Sequence, residues 1–87
     1  MFRFQENLEM EFWCRVETVG GRVVRVHVMH PNGEIFVSYP PERFSAAELN
    51  RMLAGQIRAR VSERAEGGAT VALVDLSGAV VFEERVP

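Results

Sequence analysis

Apolar and polar residues alternate along most of this chain, in short runs separated by turn signals. Met10, Phe12, Cys14 and Val16 share one parity, while Glu11, Trp13, Arg15 and Glu17 share the other. That period-two pattern is the signature of a half-buried strand. A second run sets Val24, Val26 and Val28 against Arg25 and His27, and a third sets Ile35, Val37 and Tyr39 against Glu34, Phe36 and Ser38. Turn signals at Glu66-Gly67-Gly68 and Asp75-Leu76-Ser77-Gly78 bracket two more strands near the C-terminal end.

Turn chemistry sets the expected registers. A three-residue Val19-Gly20-Gly21 loop pairs Val16 with Val24, Cys14 with Val26 and Phe12 with Val28, all inward. It also places Arg15 opposite Arg25, a like-charge pair that costs about 0.2–1 kcal/mol. Four-residue loops closing at Gly33 and Gly78 pair Val28 with Ile35, Val26 with Val37, Leu73 with Val80 and Val71 with Phe82.

Between the third and fourth strands the pattern changes. Ser45 with Glu48 forms a capping box, and Phe44 with Leu49 forms a hydrophobic staple across it. Ala46, Leu49, Leu53, Ile57 and Val61 then recur at helical spacing until Gly67-Gly68. This spacing predicts one helix of about twenty residues, roughly 30 Å long, with Arg60 and Arg64 reaching past the sheet edge towards Glu83 or Glu84. The expected fold is α+β and two-layered: a five-stranded antiparallel sheet in β-β-β-α-β-β order, with the helix across one face. Placing the last hairpin beside the first strand gives a strand order of 3-2-1-5-4. Residues 10–87 form a single α+β domain, and residues 1–9, with Phe2 and Phe4 continuing the alternation, are an N-terminal extension or an extra strand.

Composition narrows the classes of function. With 87 residues, 47% hydrophobic and 25% charged at net charge −2, the chain suits one folded domain and neither two domains nor disorder. Cys14 is the single cysteine, which excludes an internal disulfide and a cysteine-rich zinc module. No uncharged run is long enough to cross a bilayer, so a soluble cytoplasmic protein without membrane partners is expected. All ten basic residues are Arg. They scatter among twelve acidic residues and form no basic stripe.

Candidate chemistry is sparse. His27 and His30 point to opposite faces of a strand and lack a third ligand, so no metal site is expected. Asp75 reads as a turn residue, and neither Gly-Gly pair opens a helix as a phosphate loop does. No catalytic residues and no cofactor are expected. The sheet face away from the helix carries more. There Trp13, His27 and Phe36 are expected in line across three strands, with Met29 beside them, Arg15 and Arg25 in the next row, and Ala72, Val74, Ala79 and Val81 on the last hairpin. Such a face suits a small non-catalytic adaptor or regulatory module that forms a homodimer or docks a protein partner, with Trp13, Arg15, Arg25, His27, Met29 and Phe36 as the contact residues. The alternative is a nucleic-acid-binding face, with bases stacked on Trp13 and Phe36 and phosphates met by Arg15 and Arg25. The excess of acids, and Glu11, Glu17 and Glu34 on the same face, disfavour it.

Overall fold

The computed structural model describes residues 7–87, so the segment carrying Phe2 and Phe4 lies outside the described residues. Within them the chain is α+β, with six strands: β1 (Asn7–Val19), β2 (Arg22–Met29), β3 (Ile35–Tyr39), β4 (Ile57–Arg64), β5 (Ala69–Asp75) and β6 (Val80–Val86). A single α-helix, α1 (Ala46–Leu53), follows β3 after a 3-10 turn at Pro41–Arg43. All neighbouring strands are antiparallel, in the order β3-β2-β1-β4-β5-β6.

The largest departure from expectation is that half of the expected helix is a strand. The capping box forms as expected: the Glu48 amide donates to Ser45 Oγ at 3.1 Å, and the Ser45 amide donates to Glu48 Oε1 at 2.8 Å. The helix nevertheless stops at Leu53, because Gly55 takes φ +74° just beyond it. The Gly55 amide donates to the Met52 carbonyl at 3.0 Å, and the Gln56 amide to the Arg51 carbonyl at 2.9 Å. These two bonds form a Schellman cap and turn the chain away. Beyond the cap, Ile57, Ala59 and Val61 are buried while Arg58 is exposed and Arg60 and Ser62 are half-buried. A four-residue spacing is also a multiple of two, so Leu53, Ile57 and Val61 fit a helix face and a strand face equally well. Arg60 and Arg64 are therefore strand residues: Arg60 lies between Glu11 and Ala72, and Arg64 pairs with Glu66 at 2.6 Å. The Arg64 guanidinium is thus held by Glu66 in its own hairpin, and Arg60 shares a row with Glu83 across Ala72.

The inserted strand changes the topology. β1 pairs with β4 over Asn7 to Phe12 and with β2 over Trp13 to Val19, so it serves both halves of the sheet in turn. β4 takes the place beside β1 that the last hairpin was expected to fill.

Three bulges correct the registers. Gly20-Gly21 is a two-residue turn, with Val19 opposite Arg22, and an extra residue at Val24 then restores the inward pairing of Val16 with Val26 and Cys14 with Val28. Arg15 consequently faces His27, and Arg25 faces Glu17, which removes the expected like-charge pair. Of the other three hairpins, two behave alike: His30 closes on Glu34 and Asp75 on Ala79, around loops ending in Gly33 and Gly78. Each then carries a bulge one pair further along, so Val28 meets Val37, Val26 meets Tyr39, and Leu73 meets Phe82. Phe36 and Val81 are the extra residues, and both pack against the core.

The core lies on the concave side of the curled sheet. Phe12, Val26, Val28, Ala59, Val61, Val71 and Leu73 fill it, with Met52 of α1 and Phe44 beside the helix start. Tyr39 on one edge strand reaches Phe82 on the other, with ring centroids 5.1 Å apart, and Phe44 closes the cluster at 4.8 Å from Phe82. The sheet is thus a half-barrel joined by side chains rather than by a sheet ladder.

Gly68 marks a close approach between β5 and the chain end. A Cβ added there meets the Val86 carbonyl oxygen at 2.8 Å, whereas one at Gly67 meets nothing within 4 Å. Gly68→Ala is expected to destabilise the fold by about 1–3 kcal/mol, and Gly67→Ala by less. Urea unfolding curves of the two variants check the difference.

Candidate interaction face

The convex face of β1, β2 and β3 presents three rows of side chains set by the corrected registers. The first is Trp13, Met29 and Ile35, the second Arg15, His27 and Ser38, and the third Glu17 and Arg25. Trp13 is 46% exposed and Ile35 54%, with Met29 half-buried between them. The Arg15 guanidinium sits 4.6 Å from the Trp13 ring centroid, a cation–π contact that holds the indole against the sheet.

Five of the expected contact residues, Trp13, Arg15, Arg25, His27 and Met29, share this face. Phe36 does not. The bulge turns its ring to the concave side, 5.4 Å from Phe12 and 5.5 Å from His30, and Ile35 takes the convex position in its place. Nor do Trp13 and His27 lie in one row, since Trp13 faces Met29 and His27 faces Arg15. The expected apolar strip on the last hairpin is broken as well. Val81 is turned onto the core by its bulge, and Val74 is only 6% exposed opposite Arg58.

Beside Trp13 the sheet splits, because β1 changes partner there. The split opens a cleft of about 480 Å³ lined by Glu11, Trp13, Arg15, Gly55, Ile57 and Arg58, among others. One acidic acceptor, Glu11, and two basic donors, Arg15 and Arg58, line it with the indole.

The second and third rows hold an arrangement that sequence reading missed. His27 Nδ1 lies 2.6 Å from Ser38 Oγ, and His27 Nε2 lies 3.1 Å from Glu17 Oε1. The imidazole is largely covered, with 15% of its side chain exposed, while the Glu17 carboxylate is open to solvent at 56%. Three neighbouring strands supply one residue each. Only the register brings them together, since Glu17 is ten residues from His27, and Ser38 is eleven beyond. The Val24 bulge places Glu17 opposite Arg25, two pairs from His27 and so on the same face, and the β2–β3 bulge places Ser38 opposite His27.

Elsewhere the polar chemistry is structural. Asp75 accepts from the Ser77 hydroxyl at 2.7 Å and from the Ser77 and Ala79 amides, and these bonds, the hydroxyl first, hold its carboxyl below the usual range. Among the described residues, no three His, Cys, Asp or Glu side chains converge as a metal site, and no helix is long and apolar enough to cross a membrane. No protein family model matches the chain, no characterised protein matches it in sequence, and no solved structure matches it in fold.

Cys14 lies behind this face, packed against the core. Burial pushes its thiol up to about 11, which leaves roughly one thiolate in a thousand at pH 8. A disulfide exchange reagent is expected to modify Cys14 slowly in the folded protein at that pH and rapidly in urea. Absorbance of the released thiol measures both rates.

Proposed function

We propose that this chain is a small protein-interaction module that self-associates through the convex face of β1, β2 and β3, with Trp13 as its anchor. The observation that carries the reading is the half-exposed Trp13, held by Arg15 and continued by Met29 and Ile35 across neighbouring strands. Burying an indole of ~150–250 Å² is the kind of contact that dominates interface energetics. Trp and Arg are also the residue types enriched at such anchors.

Charge supports a second copy as the partner. The convex face sets Glu17 against Arg25 and Glu11 against Arg60, and net charge is only −2. Two copies laid face to face can therefore match acid with base at little net repulsion. The same mixture of signs speaks against a phosphate backbone, which needs a basic excess.

Light scattering across a concentration series is expected to give a dimer mass that dissociates on dilution. Trp13→Ala is expected to weaken association by about 2 kcal/mol, roughly 30-fold, with circular dichroism unchanged. A monomer mass at every concentration overturns the reading. So does association with nucleic acid that falls steeply with salt.

A further inference from the structure

We propose that Ser38 is an activated nucleophile, with His27 as its general base and Glu17 as the residue that positions the base, and that it takes acyl groups from activated esters. The geometry assigns each role. Glu17 Oε1 at 3.1 Å from Nε2 accepts a hydrogen bond only if Nε2 carries the ring proton. That tautomer leaves the Nδ1 lone pair facing Ser38 Oγ at 2.6 Å, within reach of the hydroxyl proton. Nucleophile, base and orienting carboxylate thus stand in one hydrogen-bonded line, the arrangement that activates a serine hydroxyl.

The surroundings suit the reaction. His27 is mostly covered, which fixes the ring, while in the monomer the neighbouring rows stay open to a substrate. β3 is an edge strand, so Ser38 is approached from the side that no strand occupies among the described residues. Arg15 lies opposite His27 on β1, and Arg25 lies opposite Glu17.

The chemistry balances as follows. Ser38 Oγ bonds to the acyl carbon of an ester as its proton passes to His27 Nδ1. The bond from that carbon to the leaving oxygen then breaks, and the leaving group departs as phenolate, with the His27 proton passing to solvent, or as alcohol after taking that proton from His27. Water attacks the acyl-serine with His27 as base, which releases the carboxylic acid and restores Ser38.

The inference goes beyond self-association and is tested apart from it, in protein dilute enough for light scattering to give the monomer mass. The probe is p-nitrophenyl acetate, with released nitrophenolate followed by absorbance and the acetylated residue found by peptide mass mapping. Acetylation is expected at Ser38 and is lost in Ser38→Ala. His27→Gln, which can keep hydrogen bonds to both neighbours, is expected to slow it about 100-fold or more. Glu17→Ala slows it, and Glu17→Gln restores part of the rate, because the amide carbonyl still accepts from Nε2; a purely structural carboxylate would show no such rescue at unchanged melting temperature. No acetyl group on Ser38, or equal acetylation of Ser38 in wild type and His27→Gln, overturns the proposal.

Discussion

The fold depends on a contact between the two edges of its sheet. Among the described residues, the six-stranded antiparallel sheet leaves β3 and β6 unpaired on their outer sides. Tyr39 and Phe82 meet across the gap, Phe44 packs on Phe82, and Arg43 lies over both Tyr39 and Phe82 at 5.4 and 5.3 Å. The same guanidinium donates to Glu84 Oε1 at 2.8 Å. These aromatic rings bury most of their surface in one place, and each ring so covered contributes on the order of a few kcal/mol. The contact curls the sheet, and the curl creates a concave side for the core and a convex side left to solvent. The cost is visible at Tyr39, whose buried hydroxyl has no hydrogen-bond partner among the described residues and whose ionisation is pushed up by that burial and by Glu84, against the opposing pull of Arg43.

Curling also explains why β1 is long and serves two partners. Its first half is laddered to β4 and its second half to β2, so the strand passes from one half of the sheet to the other. Where it changes partner the sheet splits, and the short helix seals the concave side with Met52 and Leu49. A twenty-residue helix would leave β5 as an edge with apolar side chains on both faces. Ending the helix at Gly55 frees Ile57, Ala59 and Val61 to form a strand that covers that edge, and it buries Val71 and Leu73 completely.

The bulges carry these structural choices to the convex face. Each inserts one residue and reverses the parity beyond it. At Val24 this replaces a clash of two arginines with acid facing base, and on β3 it sends Phe36 into the core and brings Ser38 opposite His27. The row of Trp13, Met29 and Ile35 and the Glu17–His27–Ser38 line are both products of the same backbone irregularities that let the inward pairs match.

The sequence alone determined which residues face inward along β1 and most of β2, the capping box at Ser45, the positions of three of the four described hairpin turns and the role of Asp75. These are local properties: period-two alternation, side-chain capping and turn chemistry act over a few residues. The extent of the helix, the sixth strand, the placement of Phe36 and the meeting of Glu17, His27 and Ser38 were decided by the tertiary structure. Leu53, Ile57 and Val61 satisfy both periods, so the Gly55 cap together with the vacancy beside β1 and β5 selects the strand. A bulge leaves no mark on alternation until the partner strand is known, because what it optimises is the match between strands. A site built from one residue on each of three strands is for that reason legible only once the register is.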